Sequence, residues 1–121
     1  MEPKRNKDYP SKHLFVLKGK AVVPAESLAE WAEQFDGNRE AFRRVALTKI
    51  GKITISTVFM GVDFTYGILK RKPILFETMI FGLPHNAPDT QRYETWEAAE
   101  EGHWKIVETV KSIRKVKPNG R

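Results

Sequence analysis

The chain has 121 residues, enough for one hydrophobic core and too few for separate catalytic and regulatory domains. It carries no cysteine and three histidines, which excludes a disulfide framework, a thiolate metal site and a cysteine nucleophile. A formal charge of +6, from 21 Lys and Arg against 15 Asp and Glu, points toward nucleic acid until its distribution is read.

Lys4, Arg5, Lys7 and Lys12 against Glu2 and Asp8 leave +2 on residues 1–12, and Lys111, Arg114, Lys115, Lys117 and Arg121 place an unopposed +5 on residues 111–121. Residues 13–110 therefore net −1. The basicity belongs to the ends and to the short run Lys70, Arg71, Lys72. This divides the chain into a flexible basic arm at 1–12, a single domain at 13–114 and a basic tail at 115–121. The longest apolar runs, such as Leu14 to Leu17, are four residues, against about 20 needed to cross a bilayer. A soluble cytoplasmic protein that makes no membrane contact is expected.

In chain order, Leu14–Leu17 and Ala21–Val23 flank Lys18-Gly19-Lys20 and predict a short hairpin. Pro24 is expected to open a helix in which Leu28, Trp31, Ala32 and Phe35 form one buried stripe, with Gly37 as its stop. Two strand-like runs, 43–50 and 53–62, meet at Gly51-Lys52, a sequence suited to a two-residue turn. Pairing Ile50 with Ile53 sets Thr48 opposite Ile55 and Val45 opposite Val58. One face then collects Ala46, Thr48, Ile50, Ile53, Ile55, Thr57 and Phe59, and the other Val45, Leu47, Val58 and Met60. A third strand at 74–81 alternates Ile74, Phe76, Thr78 and Ile80 with Leu75, Glu77, Met79 and Phe81.

The segment from Gly82 to Glu94 reads as a thirteen-residue connection, long enough to be a candidate binding loop. A final helix at 96–114, capped by Thr95, places Trp96, Ala99, Gly102, His103, Ile106, Val107, Val110 and Ile113 on one arc. Gly102 in that arc implies a close approach of the helix to a strand. The fold class is α+β: an antiparallel sheet of three main strands, extended by the N-terminal hairpin or not, packed by two helices.

No Walker loop, G-x-G spacing, H-E-x-x-H, G-x-S-x-G or acidic calcium loop occurs, so no metal or cofactor is expected and no reaction is specified. Glu77 and His103 form a candidate buried polar pair across the helix–sheet interface, and with His85 they define an enzyme or small-molecule alternative. Tyr66, Lys70, Arg71 and Lys72 combine rings with positive charge, and together with His85, Tyr93 and Trp104 they are the candidate partner-binding residues. Lys111, Arg114, Lys115, Lys117 and Arg121 are the phosphate-contact candidates of a nucleic-acid alternative. A sheet that is apolar on both faces needs two covers. If both helices lie on one side, the bare side is expected to receive a partner or a second copy.

The runs Ser56-Thr57-Val58-Phe59-Met60-Gly61-Val62-Asp63, Leu75-Phe76-Glu77-Thr78-Met79-Ile80-Phe81-Gly82 and Arg92-Tyr93-Glu94-Thr95-Trp96-Glu97-Ala98-Ala99, followed by Gly102-His103, carry a resemblance. Over about residues 43–114 the chain resembles a family of small uncharacterised proteins encoded by tailed bacteriophages and prophages. Members often have a histidine directly after the Asp of the first run, where this chain has Phe64. The resemblance implies a non-enzymatic accessory protein that binds and modulates a protein of the host or of its defences.

Overall fold

The computed structural model of the protein describes residues 13–36, 40–63, 72–83 and 90–116. Its elements are β1 (Phe15–Lys18), β2 (Ala21–Pro24), α1 (Leu28–Gln34), α2 (Glu40–Arg43), β3 (Arg44–Ile50), β4 (Ile53–Phe59), β5 (Phe76–Phe81), β6 (Thr90–Tyr93) and α3 (Trp96–Val116). The fold is α+β. β1 and β2 form a separate hairpin, and β3-β4-β5-β6 form an antiparallel meander in chain order.

The β3–β4 turn depends on Gly51, which sits at φ 60°, where a side chain is disfavoured. From that turn the register runs as the pattern requires, Ile50 opposite Ile53, Thr48 opposite Ile55 and Ala46 opposite Thr57. It then breaks. A bulge between Arg44 and Ala46 sets Arg44, not Val45, opposite Val58. Val45, expected on the reverse face, packs instead against the core of Phe59 and Leu75.

β6 is the strand that the sequence hid. Thr90–Tyr93 is only four residues long, with Gln91 and Arg92 between its threonine and tyrosine, too short to show a period-2 pattern, and it pairs along the edge of β5. The connection expected from 82 to 94 therefore ends in a strand. Its residues 84–89 lie outside the described residues.

α3 packs across all four strands of the meander. Thr95 caps it, its Oγ1 accepting from the Ala98 N–H at 3.0 Å. Ala99, His103, Val107 and Val110 are buried against Ile55, Thr57, Phe59, Phe76, Thr78 and Ile80. Ile113, expected in the buried arc, is 62% exposed. The reason is length: 21 helical residues span about 31 Å, whereas strands of six or seven residues span about 20–24 Å, so the end of the helix overhangs the sheet.

The hairpin and α1 complete the same layer. Phe15, Leu17, Val22 and Phe35 join Phe59, Phe76 and Ala99 in one cluster. The Phe15 N–H donates to the Gly61 carbonyl at 2.8 Å, and Leu14 bridges to Val62. Pro24 ends β2 rather than opening a helix, because Ser27 supplies the cap: its Oγ accepts from the Glu30 N–H, and the Glu30 carboxylate accepts from the Glu26 N–H. The buried stripe expected of α1 does not form: Trp31 and Phe35, just past the helix end, are half-buried and stack at 4.5 Å, while Leu28 and Ala32 are exposed. Trp31 Nε1 donates to the Gly61 carbonyl at 3.0 Å. Gln34 meets the backbone of Leu17 with both ends of its amide, at 2.9 and 2.7 Å. Gly37 lies outside the described residues.

The glycine in α3 is explained by a side chain rather than by strand backbone. A Cβ on Gly102 would overlap the ring and hydroxyl of Tyr93. Gly102→Ala gains about 1 kcal/mol of helix propensity and meets an overpacking penalty of about 1–3 kcal/mol. The variant is expected to unfold at a lower urea concentration than the parent protein, although the same change makes the helix intrinsically stronger.

Candidate functional site

A polar seam crosses the interior. Thr57 and Thr78 face each other across β4 and β5 and are fully buried, and their hydroxyls are hydrogen-bonded to one another. His103, also fully buried, reaches down from α3 with Nδ1 2.7 Å from Thr57 Oγ1 and Nε2 2.9 Å from Thr48 Oγ1. At the far end Thr78 Oγ1 donates to the Tyr93 hydroxyl at 3.1 Å. The seam separates two apolar clusters, one around Leu17, Phe59, Leu75 and Phe76, the other around Ile55, Ile80, Val107 and Val110.

A proton order that satisfies every contact can be assigned to the seam. Each threonine has one hydroxyl hydrogen. Thr78 gives its hydrogen to Tyr93, so Thr57 must give its own to Thr78. Thr57 can then only accept from His103, which places the ring hydrogen on Nδ1 and leaves Nε2 to accept from Thr48. A neutral ring satisfies every partner. Burial among these groups lowers the His103 pKa below the usual histidine value of 6.5, because the charged form would lose its hydration.

Glu77 and His103 do not form the expected pair. Glu77 alternates with the inward Phe76 and Thr78, so it projects from the opposite face, where its carboxylate accepts from Arg92 Nε at 3.1 Å. A sheet strand sends neighbouring residues to opposite sides, and the threonines occupy both ring nitrogens.

That opposite face is the second feature. Among the described residues the covering pieces, α1, α3 and the hairpin, lie on the inner side, and the outer residues form three cross-strand rows. Arg44, Val58, Glu77 and Arg92 make one row; Leu47, Ser56, Met79 and Thr90 the next; Lys49, Thr54 and Phe81 the third. Each of them is half-buried or exposed, Leu47 and Phe81 at 42% and 45%. No described element covers this face, but it is mixed rather than apolar: Leu47, Val58, Met79 and Phe81 stand among seven polar or charged residues, so the expected apolar side is found only in part. Val45 has turned inward at the bulge and Met60 lies beyond the end of β4, while Met79 and Phe81 take part.

The other predicted residues are scattered. Tyr93 is half-buried and forms part of a shallow cleft of about 380 Å³ with Gln91, Gly102 and Lys105. Trp104 is 48% exposed on the outside of α3, its ring edge-on to His103 at 4.8 Å. Lys72 is exposed beside a cleft of about 310 Å³ that contains Lys20 and Trp96. Lys111 is exposed and pairs with Glu108 at 3.8 Å; Arg114 lies in α3, and Lys115, expected to begin the tail, belongs to the last turn of that helix. Tyr66, Lys70, Arg71, His85, Lys117 and Arg121 lie outside the described residues. The seam threonines Thr48, Thr57 and Thr78 were missed as a group. Their signal was three threonines on the inward positions of three adjacent strands.

Among the described residues no cluster of three or more His, Asp or Glu is placed to hold a metal ion, and no helix is long and apolar enough to cross a membrane. In comparisons with known proteins, no family model, no curated protein and no solved structure matches the chain.

Two tests follow from the seam. The unfolded chain takes up a proton on His103 below about pH 6.5 while the folded form resists it, so this contribution to stability is complete above pH 6.5 and is lost as pH falls below it. Urea midpoints measured from pH 7.5 down to pH 5 are expected to fall, and to fall less steeply in His103→Gln. Thr57→Val strands both the His103 Nδ1–H and Thr78, and is expected to destabilise the protein by about 1–3 kcal/mol in the same assay at pH 7.5.

Proposed function

We propose that the protein is a non-enzymatic binding module, a bacteriophage accessory protein that docks on and modulates a protein of the host or of its defences in the cytoplasm of the infected cell. The observation that supports this reading is the outer face of the β3–β6 meander, which no described element covers and on which exposed Leu47 and Phe81 and half-buried Val58 and Met79 lie among polar and charged neighbours. Apolar residues arrayed on one side of an ordered sheet serve a partner better than they serve the monomer. The candidate chemical groups support it too. His103 is enclosed by threonines, Glu77 is engaged by Arg92, and the two are on opposite sides of the sheet.

The test is capture from bacterial lysate with tagged protein, with and without nuclease, beside a variant that alters only the outer face. Ser56 lies at the middle of that face, and Ser56→Arg raises a bulky charged side chain there without entering the core. One stoichiometric protein partner, retained after nuclease and lost with Ser56→Arg at unchanged melting temperature, is the expected outcome. Recovery of nucleic acid alone, or a partner indifferent to Ser56→Arg, overturns the reading.

A further inference from the structure

We infer that the cleft between β6 and α3 is a binding site for a small neutral molecule that presents a carboxamide on an apolar body. It is separate from the outer sheet face and independent of the reading above. The cleft, of about 380 Å³, is within the size range of small-molecule sites, and it is lined by Gln91 and Tyr93 of β6 and by Ala98, Gly102 and Ile106 of α3, among others. Glycine at position 102 lets the Tyr93 ring lie against the helix backbone, since a Cβ there would overlap both ring and hydroxyl.

The seam brings one donor to this cleft. Thr78 Oγ1 donates to the Tyr93 hydroxyl at 3.1 Å, so that oxygen accepts from the interior and keeps its own hydrogen to give. That hydrogen goes to no acceptor among the described residues. A hydroxyl that already accepts is a stronger donor, and the buried Thr57–Thr78 pair holds this one in place. Gln91 stands opposite Thr78, two residues from Tyr93 on the same face of β6. Its carboxamide is exposed and has no hydrogen bond among the described residues.

The remaining polar groups of the cleft are engaged. Glu101 and Lys105 pair with each other at 3.4 Å, and the Thr109 hydroxyl donates to the Lys105 carbonyl at 3.0 Å. This leaves one positioned donor and, beside it, one amide able both to donate and to accept, next to the apolar Ala98 and Ile106. A carboxamide matches that set: its carbonyl oxygen accepts from the Tyr93 hydroxyl, and its N–H donates to the Gln91 side-chain carbonyl. A carboxylate would bring a charge that no unpaired cation of the cleft balances, and an ammonium offers Tyr93 no lone pair. The order of hydrogens in the seam is decisive. With the ring hydrogen of His103 on Nε2 the order would run the other way, and Tyr93 would spend its hydrogen on Thr78.

The test uses the full chain, isotope-labelled for NMR. Ring-nitrogen shifts of His103 report its tautomer; hydrogen on Nδ1 is expected, and hydrogen on Nε2 overturns the inference before any ligand is added. Benzamide, benzoate and benzylamine are then titrated. Benzamide is expected to bind about fivefold or more tightly than either ion, with amide shifts centred on Gln91, Tyr93, Gly102 and Ile106. Tyr93→Phe, which removes the hydroxyl alone, and Gln91→Ala, at an exposed position, are each expected to weaken benzamide binding about threefold or more. Gln91→Ala keeps the test decisive if loss of the Tyr93 hydroxyl costs the fold. Absence of benzamide binding, equal affinity for the three compounds, shifts elsewhere, or unchanged affinity in either folded variant overturns the inference.

Discussion

The interior is organised around one constraint: an imidazole with no access to water must have both nitrogens satisfied. A lone histidine on the buried side of α3 would lose about 1–3 kcal/mol for each polar atom left without a partner. The fold answers by lining up inward threonines from β3, β4 and β5 beneath it. The arrangement fixes more than the ring. It holds the helix at one rotation and one height on the sheet, since a shift by one residue along any strand would replace an inward threonine by an outward neighbour. Apolar contacts tolerate sliding; a chain of hydroxyls with a single proton order does not.

From that seam the two apolar clusters can be read as separate halves of one core. The half toward the hairpin is aromatic, with Phe59 and Phe76 at 5.2 Å and Trp96 edge-on to Phe76 at 6.2 Å. The half toward the Gly51 turn is aliphatic. The aromatic half also holds α1 and the hairpin, a wider cover than one helix provides, and this places every described covering element on one side. The bareness of the outer face is the consequence of how the inner face is packed.

Much of this was legible in the residues. The 3.6-residue spacing from Trp96 onward, the Thr95 cap and the Gly51-Lys52 turn are local signals, and each formed where the pattern placed it. What the pattern could not carry was nonlocal. The bulge that turned Val45 inward obeys the needs of the core rather than any turn residue, and β6, too short to show a period of its own, pairs along the edge of β5. Glu77 beside His103 was a pairing of suggestive residue types; strand alternation, read strictly from Thr78, would have separated them. The seam stayed hidden for a related reason. Threonine is as common in strands for its shape as for its hydroxyl, so its chemistry shows only when two of them meet one ring and a third continues the chain.

The order of the elements also bears on synthesis. The hairpin and α1 precede the meander and α3 follows it, so a sheet assembled on the ribosome can have its aromatic half covered while its aliphatic half waits for the last helix. For that interval the nascent protein presents Ile55 and Ile80 alongside Leu47 and Met79, and the helix that supplies His103 also ends the exposure of the inner pair. The window in which such a chain most needs a chaperone is therefore set by the translation time of about twenty codons.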